Sequence, residues 1–172
     1  MTKKQLKTTI LSLGFLFISF FIVHAQDENN EKLTRPGRCD VSEVDSYVNK
    51  CFDAYEESQK ITEAVNFFKV EGEGDSKVIL NPKGEHISKT DALFQLGELM
   101  VRAKKQNDNI QSIQDLQKPA TESIKKAPIA KKPQATKNLN KGNEALTELM
   151  KETKKQIEQI DRQITEIKEI ND

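Results

Sequence analysis

The sequence predicts a mainly α-helical protein: an antiparallel bundle or coiled coil of about three helices, with a small β-hairpin between the first two. Three observations carry that expectation. Residues 139–170 place apolar side chains at alternating steps of four and three: Leu139, Leu146, Met150, Ile157, Ile160, Ile164 and Ile167. Asn143 and Thr153 fill the two remaining inward slots. This is a heptad seam, and a helix with one apolar stripe must lay it against other helices. Second, hydrophobic residues make up 35% of the chain and charged residues 31%, with no Trp. Much of the apolar share sits at the N-terminus, so the remainder can line a narrow seam more readily than fill a broad core. Third, Gly- and Pro-containing breaks at 71–76 and 118–142 separate the helical stretches. A length of 172 residues suits one domain, or one domain with a tail.

Lys3, Lys4 and Lys7 precede an apolar run over 10–23, and Val23-His24-Ala25 has the form of a small-residue cleavage site. Residues 1–25 therefore read as a secretory signal peptide, leaving Gln26 as the new N-terminus and a periplasmic or secreted chain. The run is shorter than the roughly 20 residues of a spanning helix, which argues against a retained anchor. No Cys follows the site, which argues against lipid attachment.

Residues 26–39 read as a polar, flexible leader containing Pro36-Gly37. The unit 40–118 reads as helix, hairpin, helix. The first helix should begin near Asp40, which can cap the first free amides, with Glu43 completing a capping-box-like pattern. Its stripe runs through Val44, Val48, Cys51, Tyr55, Ile61, Ala64, Val65 and Phe68, with Tyr47 and Phe52 flanking it. After the break, 77–80 and 85–88 flank Asn81-Pro82-Lys83-Gly84, a type I turn pattern, so a hairpin is expected. Val78, Leu80 and Ile87 would have to rest on a helix near Phe67 and Phe68. A second helix should start at Thr90 or Asp91 and carry Leu93, Leu96, Met100, Ala103, Ile110 and Ile113, with Leu99 and Leu116 at its margin. Gln106 and Asn107 interrupt that stripe, and Pro119 ends or kinks it. Residues 119–138 read as a basic Pro/Lys/Ala linker, and 139–172 as the long C-terminal heptad helix.

The formal charge is zero but unevenly spread. Acids exceed bases 18 to 12 over 26–117, seven Lys face one acid over 118–142, and acids lead 8 to 5 thereafter. A basic joint between acidic segments points to attraction within the chain before it points to nucleic acid. No aromatic residue lies in the joint to stack on bases, so no nucleic-acid partner is expected. Lys125, Lys126, Lys131 and Lys132 could dock on an anionic membrane surface, or simply keep a linker soluble.

Cys39 and Cys51 admit three arrangements: an intrachain bridge with Cys39 folded back beside the first helix, a bridge between copies, or two free thiols. On one continuous helix they would stand about 18 Å apart, too far to pair. His86 is the one histidine after cleavage, and no zinc, haem, redox or nucleophile motif is present, so no metal, cofactor or catalytic residue is expected. Glu56, Glu57 and Glu63 read as a solvated face. The functional expectation is a non-enzymatic exported helical protein that binds through helix surfaces. The seam Leu146, Met150, Ile157, Ile160, Ile164 and Ile167 would meet a protein partner or another copy. A periplasmic holdase and a membrane- or envelope-associated factor using the basic linker are the alternatives.

Overall fold

The computed structural model describes residues 32–73, 77–81 and 83–170. The expected signal peptide, the first part of the leader and Pro82 of the turn lie outside the described residues. The described chain is mainly helical. It contains α1 (Ser42–Phe67), α2 (Lys89–Gln114), α3 (Gln117–Lys126) and α4 (Lys132–Lys168), with a 3-10 turn (Ile129–Lys131) leading into α4. Three short strands, β1 (Lys69–Glu71), β2 (Val78–Leu80) and β3 (His86–Ile87), lie between α1 and α2 in the chain.

The leader from Leu33 onward is held down rather than flexible. Arg35 bridges Asp53 at 2.6 Å and Glu56 at 3.0 Å on the outer face of α1. The Leu33 amide reaches the Tyr55 hydroxyl, and the Asn138 side chain donates to the Gly37 carbonyl. The leader thus runs back along α1 to a left-handed turn at Asp40, whose φ is 56°. Asp40 does not cap α1. Val41 is the N-cap and offers no side-chain bond. The free amides before the helix turn instead to Asp45, one turn in: its carboxylate accepts from the Cys39 amide at 2.9 Å, the Asp40 amide at 3.1 Å and the Cys39 thiol at 3.1 Å. Burial alone would raise the Asp45 pKa, but these donors and Arg38 outweigh it and hold the carboxyl below its ordinary value.

Polar contacts fix the directions of the long helices. Tyr47, Ser58 and Val65 of α1 meet Asn143, Gln156 and Gln163 of α4 in that order, so α1 and α4 run parallel. Ala54 and Glu57 of α1 meet Gln106 and Arg102 of α2, so α2 runs against both. The sheet turns the chain between α1 and α2. It has order β1-β2-β3, all antiparallel, with Val70 opposite Ile79 and Ile79 opposite Ile87. The sequence reading did not anticipate β1. It also chose the wrong face of β2: Ile79 is buried, while Val78 and Leu80 are only half-buried. Side chains alternate along a strand, so pairing with β1 puts the Val70–Ile79–Ile87 row on the core beside Phe68. The turn holds through Gly84 at φ 76° and through Asn81, whose side-chain oxygen accepts from the Lys83 and Glu85 amides.

α4 starts seven residues earlier than the heptads suggested and spans 37 residues, about 55 Å. Residues 119–138 are therefore α3, the 3-10 turn and the first two turns of α4, not a linker; Ala120, Ala135 and Asn138 within them are buried. Pro119 and Pro133 are tolerated because each sits in a first helical turn, where its missing N–H costs no helical bond. The seam is also rotated. Leu146, Ile160 and Ile167 are buried as expected and Ile157 and Ile164 are half-buried, but Met150 is 45% exposed and Leu149 takes the inward place. The face against α1 holds Ala135, Asn138, Gly142, Ala145, Leu149, Thr153, Gln156 and Ile160, polar and small residues included.

Two apolar clusters result. One gathers the first half of α1, the end of α2, Ala120 of α3 and the first half of α4. The other gathers the sheet, the second half of α1, the start of α2 and the last turns of α4. Between them lies a polar layer. Gln156 Nε2 donates to the Ser58 carbonyl at 2.9 Å, to the Ser58 hydroxyl at 2.8 Å and to the Thr62 hydroxyl at 2.8 Å. Gln106 Nε2 donates to the Ala54 carbonyl at 2.6 Å, so the residue that looked like an interruption of α2 is a buried tie to α1.

Two glycines inside helices behave oppositely. A Cβ on Gly142 would meet Tyr47 Cε1 at 3.0 Å, and Tyr47 is fully buried with its hydroxyl donating to Asn143 at 2.7 Å. A Cβ on Gly97 would meet nothing within 4 Å. Gly142→Ala should therefore destabilise the fold by about 1–3 kcal/mol through overpacking. Gly97→Ala should stabilise it by up to about 1 kcal/mol through helix propensity. Thermal unfolding of both variants checks the opposite signs; equal shifts would refute the close α1–α4 approach. Asp45→Asn should cost about 1–3 kcal/mol at neutral pH, because buried donors lose their charged acceptor. The native Asp45 pKa lies below the unfolded value of about 3.9, so its contribution is complete above that pH and is lost as pH falls through the lower native value. Acid unfolding curves of the two proteins should converge in that window.

Candidate functional site

The surface of α2 carries the candidate site. Ser88 caps this helix: its hydroxyl oxygen accepts from the Asp91 amide at 3.0 Å, and its hydroxyl donates to the Asp91 carboxylate at 2.7 Å. The cap sets where α2 begins, and burial of Ala92, Leu96, Leu99 and Ala103 sets which face turns inward. The opposite face then carries Phe94 and Val101 into solvent, each 66% exposed, with Gly97 between them. These three lie at steps of three and four, a second helical period outside the buried one. A groove of about 800 Å³ runs beside them, with Ala64 of α1, Phe68 just past its end and Leu93 of α2 along its wall.

An ion pair bounds the groove. Arg102 of α2 donates to Glu57 of α1 through Nε, at 3.2 Å, and through Nη2. The hydrogen bond from Arg102 is the main reason the Glu57 carboxyl is held below its ordinary pKa. Beyond Arg102 the α1–α2 surface changes character: a second groove, about 790 Å³, is lined by Lys50, Asp53, Lys105 and Asp108. One side of the pair is thus apolar and the other charged. Sequence reading missed Phe94 and Val101 because it sought the face that packs; an unused apolar period on the outer face was the signal.

The sites marked from sequence fall elsewhere. Cys39 and Cys51 are buried free thiols in the first apolar cluster, and no disulfide joins them. The folded-back leader brings Leu33, not Cys39, to the level of Tyr55, while the Cys39 thiol donates to Asp45. Burial raises the Cys39 pKa and pushes Cys51 up to about 11. Of the four lysines, Lys125 pairs with Glu122 at 2.7 Å. Lys131 donates to the Asp40 carbonyl at 3.2 Å, and Lys132 to the Lys125 carbonyl at the end of α3 at 2.9 Å. Lys126 is exposed. Lys132 thus ties the start of α4 to the end of α3, where helix-end carbonyls favour positive charge, and Lys131 ties the same corner to the turn before α1. The C-terminal seam is used within the chain, against α1 and α2, with Met150 alone of its six positions turned out. Among the described residues no three His, Cys, Asp or Glu side chains gather as a metal site, and no helix is long and apolar enough to cross a membrane.

Compared with family models, with curated proteins and with solved structures, the chain matches none.

The thiolate is the reactive form of cysteine, and burial suppresses it here. Without any reductant, a thiol reagent at pH 8 should find neither Cys39 nor Cys51 in the native protein on the minutes scale. It should titrate both after unfolding in guanidinium. Zero thiols after unfolding would mean that a bridge exists.

Proposed function

We propose that this is an exported, non-catalytic binding protein, built on three long helices with α2 running against α1 and α4, that engages partners through the outer face of α2. The single observation behind this reading is the pairing of two large, solvent-facing apolar side chains, Phe94 and Val101, with an apolar groove at their side. Isolated exposed apolar residues are ordinary, but residues aligned along a groove mark a binding surface. The partner chemistry that suits it is an apolar stripe on a helical segment, since a helix groove is read by anchors at steps of three, four and seven. Arg102 and Glu57 at the groove's end give such a segment a polar stop.

The same face suits the holdase alternative, in which the apolar segment belongs to an unfolded exported chain. The membrane-surface alternative loses support, because Lys125, Lys131 and Lys132 already have partners inside the chain.

The test is fluorescence anisotropy with a labelled amphipathic helical peptide that presents a leucine stripe. Binding with Kd in the range of about 1–100 μM is expected. The double variant Phe94→Ser, Val101→Ser should weaken it by about tenfold or more while the melting temperature stays within a few degrees, because both side chains are exposed. Equal binding by the double variant would place the interaction off α2, and no binding by either would remove the reading.

A further inference from the structure

Gly97 lies in the middle of a 26-residue helix, where glycine is a poor choice. The other mid-helix glycine of the long helices, Gly142, is explained inside the chain by the Tyr47 ring that a Cβ would strike. Gly97 has no such explanation: nothing in the described chain lies within 4 Å of the place a Cβ would occupy. It sits between Phe94 and Val101, the two most exposed apolar side chains of α2. One face therefore offers a projection, a hollow and a projection, and a glycine in that setting lets another helix approach closely.

We propose that the occupant of this face is a second copy of the chain, docked through α2 against α2 in an antiparallel crossing centred on Gly97. This rests on the reading of α2 as the binding face and names its partner. The face is self-complementary, as a two-fold contact requires. Turning one copy over about Gly97 sets Phe94 of each copy beside Val101 of the other, while the two glycine hollows meet at the crossing. The same turn brings Asp91 of each copy towards Lys105 of the other, both of which are exposed. A parallel arrangement would instead set Asp91 level with Asp91 and Lys105 level with Lys105, with no opposite charge at either height. The antiparallel register also brings Glu98 of both copies together beside the crossing, the one like-charge contact in it. A single helix pair falls short of the standard interface of roughly 1,600 Å², so the dimer should be weak and concentration-dependent.

Sedimentation velocity of the purified protein, from about 1 to 500 μM, tests this. A monomer–dimer equilibrium is expected. Phe94→Ser and Gly97→Ala should each weaken the dimer by about tenfold or more, although Gly97→Ala strengthens the monomer fold. Glu98→Gln should tighten it by several fold, with a matching loss of salt sensitivity. A chain that stays monomeric throughout overturns the proposal. So does a dimer indifferent to Gly97→Ala and Glu98→Gln, which would use another face. If the chain is monomeric but still binds the amphipathic peptide through Phe94 and Val101, the second copy is excluded and the binding face stands. If neither occurs, both fall.

Discussion

The close, parallel run of α4 along α1 is the constraint on which the rest of this structure depends. It starts where the leader turns into α1, passes Tyr47 over Gly142 and continues to the Gln163 contacts with the Val65 and Phe68 carbonyls. Ala135, Gly142 and Ala145 allow that approach because they present almost no side chain. A bulkier face on α4 would lift it from α1 and open both apolar clusters. α2 then has one place to lie, in the remaining angle between α1 and α4, and its outward face follows from that.

The interior is not uniformly apolar, and the polar layer has a physical role. An apolar stripe can slide along another by a turn with little change in burial, whereas a buried amide that must reach one carbonyl cannot. Gln106 and Gln156 address neighbouring turns of α1, at Ala54 and Ser58, and so fix both α2 and α4 against one helix. The specificity has a cost. The side-chain oxygens of both glutamines, and the Thr153 hydroxyl, have no hydrogen-bond partner among the described residues. Each such group disfavours the folded state by about 1–3 kcal/mol relative to a satisfied one. A chain with a thin core thus trades stability for a unique register, and the anchored leader returns some of it through Arg35 and Asp45.

The same packing explains why the proposed binding surface lies on α2. α1 is covered by the leader, α2 and α4, and the apolar stripe of α4 faces inward. Among the described residues nothing packs on the outer side of α2 that carries Phe94, Gly97 and Val101. The basic α3–α4 corner looked like a surface feature because lysines with Pro and Ala resemble a linker. In three dimensions Lys132 reaches the Lys125 carbonyl at the end of α3, and Lys131 reaches the Asp40 carbonyl just before α1.

The sequence by itself determined the helical class, the positions of α1 and α2 to within a few residues, the body of α4 but not its first two turns, and most of the buried apolar set. Val44, Ile61, Leu96, Ala103, Ile113 and Ile160 were all legible, because helical periodicity is a local signal and apolar burial enforces it. Only the tertiary structure decided the phase of α4, the face of β2, the roles of Gln106, Gln156 and Asp45, and the state of the two cysteines. Each depends on which neighbour stands opposite. A glutamine on a stripe reads as a gap until a carbonyl one helix away receives it, and a glycine reads as a break until a tyrosine, or an empty surface, shows what its missing methyl group is for.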